Sequence, residues 1–354
     1  MTAGPPGSRL PLLRKALFAL VALFLFVLAI QLLKTGARTL APVVREAALI
    51  RHPVNAMGLG WLGAYLVLSG SPVAAAALGL LDAGALDVRQ AFLMISGSRM
   101  GASFIVLFIG FLYKLRGHES GRSLGMGLIS LLTTWSQQIV ALALGYAVLT
   151  RGWLDGLHVA GGAHVMSVLD VIYDPIVAAI TARLDGPLVF VAGVGVIMAA
   201  FGLADRALPE MSLGGTRFEA TPRLLYRPAV MFGLGMAVTL VSMSVSVSLG
   251  LLVPLSARGY VRVENVIPYI LGANVTTFVD TLLVSLLMDN PASFTVVLVE
   301  MLGAAGAALL ILSVSYRSFE RGILRTVGAI TADRRSLAAF MLALVGMPIL
   351  LLVV

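Results

Sequence analysis

The chain has 354 residues, 59% of them hydrophobic and only 12% charged, with a mean hydropathy of +0.99. So little polar surface excludes a soluble globular domain and points to an integral membrane protein. The net charge of +8 lies in short loops between apolar runs, which speaks for positive-inside bias and against nucleic-acid binding; zero cysteines exclude disulfides, thiolate chemistry and iron-sulfur ligation.

Apolar runs long enough to cross a hydrocarbon core of about 30 Å recur along the chain, without the strict alternation of a barrel, so the expected class is an all-α polytopic membrane protein. The opening "GSRLPLLRKALFALVALFLFVLAIQLL" has the positive flank of a signal peptide. Its apolar core is too long and no small-x-small site follows, so it is expected to be a retained first span over 17–33. Two apolar halves follow, 56–68 and 73–81, each too short to cross, joined by Ser69, Gly70, Ser71 and Pro72. They predict a re-entrant helical hairpin near 56–81 with its tip near mid-membrane, where irregular backbone survives only if buried in protein or lining a wet cavity. A broken helix over 88–113, interrupted by "GSRMGAS", and a full span over 124–149 complete a first unit, 1–150.

The next segment, 151–185, carries His158, His164, Asp170, Asp174, Arg183 and Asp185 around Pro175, and is expected not to span. Beyond it the pattern returns in a second unit, 186–316. This has a span over 188–203, a hairpin near 229–257 built from halves 231–241 and 249–255, a broken helix over 263–288 interrupted by "GANVTTF", and a span over 296–312. The remainder, 317–354, reads as a basic loop and a final transmembrane helix.

The two units align without gaps at an offset of 175 residues, which pairs Pro53 with Pro228, Gly58 with Gly233, Gly60 with Gly235, Ser69 with Ser244, Ser71 with Ser246, Gly84 with Gly259 and Gly97 with Gly272. With a non-spanning middle segment and a cytoplasmic N-terminus, 17 of the 25 Lys and Arg lie inside, 7 outside, and Arg99 within the membrane. That asymmetry predicts two inverted repeats.

The motif residues carry a resemblance. The stretches "ALFLFVLAIQLLKTGARTLAP" and "AGALDVRQAFLMISGSRMGAS", with Leu68-Ser69-Gly70-Ser71 and Met243-Ser244-Val245-Ser246 at the two tips, resemble the type II sodium/phosphate cotransporter family over most of 17–312. In that family each inverted repeat carries Q-S-S-S at a hairpin tip and G-A-N-I-G-T-T in a broken helix. Here both glutamines are replaced, and the second motif reads Gly97-Ser98-Arg99-Met100-Gly101-Ala102-Ser103 in one copy and Gly272-Ala273-Asn274-Val275-Thr276-Thr277-Phe278 in the other. The resemblance implies a secondary active transporter that moves phosphate or a similar small anion by alternating access. It further implies sodium as the family's coupling ion, here with altered sodium coupling because Arg99 replaces a cation-site asparagine, with no other cofactor, the bacterial inner (cytoplasmic) membrane as the location, lipid and a small inorganic anion as partners, and room for a homodimer. The competing class is a non-transporting membrane protein that keeps the fold as a binding or assembly module. No HExxH motif or acid cluster supports an enzyme, and His158 and His164 are spaced badly for a metal pair.

Two tips and two helix breaks meeting at mid-membrane would offer backbone N–H groups at half-helix N-termini to an anion, and hydroxyl, amide and carbonyl oxygens to sodium. The substrate-binding candidates are Ser69, Gly70, Ser71, Arg99, Ser244, Ser246 and Ser248; the coupling-ion candidates are Asn274, Thr276, Thr277 and Asp280. Any single serine or threonine has the alternative of packing a helix interface, and the duplicated register is what raises the tip serines above it. Ser103, Ser136 and Gln137 are candidates for lining the pathway, with amide bonds between neighbouring helices as the alternative for the polar run Trp135 to Gln138. Arg99 stands where the family has asparagine. A charge at helix centre costs about 2.5 to 3.5 kcal/mol on the insertion scale and needs a partner. Asp280 is favoured over Glu300 for that role, and the pair would either hold an anion in place of a bound sodium or lock the two repeats together.

Overall fold

The computed structural model describes residues 9–46, 50, 52–115, 120–154, 156, 163–207, 227–250 and 265–354. Among them every regular element is helical, and seven helices are long and apolar enough to cross a membrane.

The first half runs α1 (Arg9–Glu46), α2 (Pro53–Val67), α3 (Ser71–Asp82), α4 (Val88–Ala102), α5 (Phe104–Leu115) and α6 (Ser120–Thr150). Helix α7 (Ala163–Thr181) precedes the second half. That half comprises α8 (Gly186–Ala207), α9 (Pro228–Ser242), α10 (Val245–Gly250), α11 (Val266–Thr276), α12 (Phe278–Leu286), α13 (Ala292–Leu310), a π-helical turn (Ile311–Ser315) and α14 (Tyr316–Thr331). Last comes α15 (Arg334–Val353). Local chemistry sets several starts. Pro53 and Pro228 open α2 and α9, where a missing N–H costs nothing. Asp87 and Gln90 cap α4 reciprocally, each side chain bonding the other's backbone N–H at 2.8 Å.

The packing repeats at the same offset as the sequence. A Cβ on Gly60 would collide with the Met94 carbonyl and one on Gly97 with the Met57 carbonyl, so α2 and α4 touch backbone to backbone. In the second half Gly235 meets the Tyr269 carbonyl and Gly272 the Phe232 carbonyl, which joins α9 to α11 in the same way. Met94 and Tyr269, like Met57 and Phe232, are themselves 175 residues apart. Small residues let helices approach this closely where lipid gives no hydrophobic drive between them. The ends of α2 and α9 also match: Leu68 (φ 53°) and Met243 (φ 49°) are the two non-glycine residues with positive φ among the described residues.

Helices α1 and α8 lie against each other over most of their length and run antiparallel. Gly186 packs on Thr39, Gly36 on Phe190, Gly193 on Leu33, and the Phe26 ring on Phe201. At one end of the bundle the loop between α12 and α13 is tied down by Lys34 and Arg38 pairing with Asp289 at 2.7 and 3.0 Å, and by the Asn290 N–H donating to Asp82 at 2.7 Å.

The segment expected not to span contains α7, which is not among the seven candidate spans. It buries Tyr173 and Val177 against Val27, Leu28, Leu32 and Val189 of α1 and α8. His158 lies outside the described residues, as do 251–257 of the expected second hairpin and 263–264 of the second broken helix. One expectation is corrected. The basic stretch from 317 is not a loop but α14, because Ile323, Val327 and Ile330 recur at helical spacing and are buried, leaving Arg317, Arg321 and Arg325 on the exposed face. Helix α15 docks on α2, where Asn55 Nδ2 donates to the carbonyls of Leu351 and Leu352 at 3.2 Å each and the Tyr65 hydroxyl to that of Leu344 at 3.0 Å.

Candidate functional site

A cavity of ≈ 380 Å³ lies where the ends of the short helices meet. Its wall is made by Leu68, Ser69, Gly70, Ser71 and Pro72 at the α2–α3 junction, and by Met243, Ser244, Val245 and Val247 at the α9–α10 junction. Arg99 and Ala102 come from the end of α4, and Thr277 from the break between α11 and α12. The far half of α8 adds Met198, Phe201, Gly202 and Asp205, and α5 adds Ile109. Both junctions and both helix breaks therefore contribute to one space.

Arg99 is the charged centre of that wall, and its side chain is only 7% exposed. Nη2 donates to Thr281 Oγ1 at 2.7 Å and lies 3.5 Å from Asp280 Oδ1; Nη1 donates to Thr277 Oγ1 at 3.1 Å and reaches Ser71 Oγ at 3.4 Å. The guanidinium stacks over the Phe278 ring, 4.6 Å from its centroid. Asp280 accepts from Thr281 Oγ1 at 2.8 Å and occupies the first turn of α12, where the helix dipole favours a carboxylate. The match is incomplete: Nε of Arg99 and Oδ2 of Asp280 are buried without a hydrogen-bond partner. Arg99 thus ties the first half to the second through three side chains of the α11–α12 break and keeps a donor unspent.

Of the residues singled out in the sequence, Ser69, Gly70, Ser71, Arg99, Ser244 and Thr277 share the cavity wall, and Asp280 stands directly behind Arg99. The other candidates with described side chains do not line it. Ser248 is buried, accepting from Thr239 at 2.7 Å and lying 2.9 Å from the Tyr269 hydroxyl. Ser246 lies in α10, but its side chain falls outside the described set. Asn274 donates to Thr134 and to Gln137 Oε1 at 3.1 and 2.9 Å, and Thr276 to the Met236 carbonyl at 3.0 Å.

Gln137 donates to the carbonyls of Leu271 and Ala304, so it joins α6 to α11 and α13. Ser103 turns back onto the Met100 carbonyl at 2.6 Å, and Ser136 is half-buried and off the cavity wall. Asn274 and Thr276 thus donate to protein oxygens, while Thr277 and Asp280 face the Arg99 guanidinium, which repels a cation placed beside them.

Asp205 escapes sequence reasoning. It lies two residues beyond the expected span 188–203, whereas α8 runs on to Ala207 and carries it onto the cavity wall. Thr281 and Phe278 also escape it, because their role exists only once Arg99 crosses from the other half. No family model, curated protein or solved structure matches this chain.

Proposed function

We propose that the protein is a secondary carrier of a small inorganic oxyanion, phosphate first, built on two inverted repeats with re-entrant hairpins and working by alternating access in a bacterial inner membrane with its N-terminus cytoplasmic. The observation that carries this reading is the meeting of both short-helix junctions and both helix breaks around one cavity faced by a buried arginine. The antiparallel run of α1 against α8, the opening helices of the two units, supports the inverted arrangement, because a parallel duplication would run them the same way. Hydroxyls from Ser69, Ser71 and Ser244 and the positive charge of Arg99 on the cavity wall are chemistry for an oxyanion.

Two features refine the proposal. Arg99 stands where the resemblance to the sodium/phosphate cotransporters expects a sodium-binding asparagine, and a guanidinium offers only donors and repels a cation beside it. A like charge at about 4 Å costs on the order of 4 kcal/mol at an effective dielectric of 20, so sodium coupling at this position is lost. Asp205 places a carboxylate on the same wall, and an anion that still carries a proton can donate to it while a fully ionised one cannot. Phosphate is therefore preferred over sulfate.

The test is uptake of radiolabelled phosphate into proteoliposomes, with and without sodium and with sulfate as competitor. Uptake that is indifferent to sodium and poorly competed by sulfate is expected. The double variant Ser69→Ala with Ser244→Ala should keep the yield and melting temperature of the parent while weakening phosphate binding at least tenfold. Binding without any flux would instead identify a non-transporting module, and normal flux in the double variant would remove the serines from the site.

A further inference from the structure

Away from the cavity wall, α13 turns Glu300 into the middle of the protein, where it has 0% exposure. Its Oε2 accepts from Gln138 Nε2 of α6 at 2.9 Å, and its Oε1 bonds the Ser96 hydroxyl of α4. Both partners are neutral. Among the described residues the charged group that acts on it is Arg99, one turn beyond Ser96 on α4, and Arg99 is already paired with Asp280. The other elements packed on α13 bring Tyr269 from α11, held by Ser248; Asp280 from α12, held by Arg99 and Thr281; and Asp82 at the end of α3, which accepts from Asn290. None of these bonds Glu300.

We propose that Glu300 is a proton site in the membrane core, protonated while Arg99 is paired with Asp280 and able to release its proton when that pairing changes. The first support is a charge balance. Arg99, Asp280 and Glu300 make one cation and two carboxylates in a buried cluster, and a second ionised carboxylate would be an uncompensated charge where one is most costly. Asp280 is the ionised member, because it holds Arg99, accepts from Thr281 and sits at a helix N-terminus. The proton falls to Glu300.

The second support is that the site accommodates both states. With the proton on Oε1, Glu300 donates to Ser96; when the proton leaves, the hydroxyl rotates and donates instead, while Gln138 donates to Oε2 throughout. Because Ser96 and Arg99 lie on adjacent turns of one face of α4, the charge on Glu300 is felt at Arg99 and hence at the cavity. Coupling of this proton to anion movement rests on the carrier reading given above; the protonation itself does not.

Infrared spectra of the purified protein in lipid, titrated from mildly acidic to mildly alkaline pH, test the assignment. The parent should show the C=O stretch of a buried protonated carboxylic acid, and Glu300→Gln should lose it while melting like the parent, since glutamine keeps a donor and an acceptor in the same place. Should that variant fail to fold, Glu300→Asp must displace the band. In Asp280→Asn, Glu300 becomes the only carboxylate left to balance Arg99, and the band should weaken several-fold near neutral pH. A parent without the band, a band that survives in Glu300→Gln or stays in place in Glu300→Asp, or one unchanged in Asp280→Asn, overturns the proposal. If the band behaves as expected but the parent moves no phosphate, the carrier reading fails and the proton site stands; if phosphate moves and the band is missing, the proton site fails alone.

Discussion

In the first half of the molecule α3 is wrapped by protein, every residue from Pro72 to Leu81 being buried, and one side of α2 is docked on α15 while its Leu66 stays exposed. In the second half no described helix docks on α9 as α15 does on α2, and Val230, Leu240, Val241 and Met243 are exposed. Yet the two halves share the same backbone contacts at Gly60 and Gly235 and at Gly97 and Gly272, and the same left-handed residue where the short helix ends. Backbone approach is thus duplicated while side-chain content is not. The first half contributes the cation, Arg99, and the second its carboxylates, Asp280 and Glu300. A symmetric scaffold has become an asymmetric site.

That contrast can be broken at its charged centre first. Arg99→Ala should destabilise the protein by about 3–5 kcal/mol, because Asp280 is left buried without its partner. Replacing both, Arg99→Met with Asp280→Leu, should recover most of that stability but not phosphate binding. Denaturant titration of each variant in mixed micelles measures the first effect and equilibrium phosphate binding the second. Recovery of both by the double variant would mean that the pair is only a strut between the halves.

The duplicated scaffold predicts a smaller, matched effect. Gly60→Ala and Gly235→Ala each drive a methyl into a carbonyl of the neighbouring helix and should each cost about 1–3 kcal/mol by the same titration. A large loss at Gly60 with none at Gly235 would show that the uncovered second half yields where the first cannot.

The smallest effect is the sharpest, because aligned residues should respond with opposite sign. Gly58 faces the α15 backbone, 2.7 Å from both Leu352 N and the Pro348 carbonyl for an added Cβ, whereas among the described residues nothing lies within 4 Å of a Cβ at its counterpart Gly233. Gly58→Ala should therefore lower the melting temperature, and Gly233→Ala should raise stability by up to about 1 kcal/mol through helix propensity alone. Equal responses would mean that α15 does not determine the difference between the halves.

Much of this architecture is legible in the sequence. The membrane class follows from composition, and the duplicated unit follows from glycines and serines in register at one offset. The Arg99–Asp280 pair is legible too, because so few charges interrupt the apolar runs. The left-handed ends at Leu68 and Met243 are not: neither is glycine or asparagine, and no local signal marks them. Asn274, Ser248 and Gln137 read as ligands or pathway residues for the same reason that they serve as packing bonds, which is that a polar group in a membrane core must find a partner and the sequence does not say which.

By itself, then, the amino-acid order determined what repeats locally: apolar length, helix starts at Pro53 and Pro228, and the spacing of small residues along each helix face. Tertiary structure alone decided which polar groups meet. Arg99 reaches Thr277 across 178 residues, Asn274 reaches Gln137 across 137, and Ser96 reaches Glu300 across 204. Helical periodicity carries information over a few turns, whereas a buried hydrogen bond is selected by whichever side chain the folded bundle brings within about 3 Å.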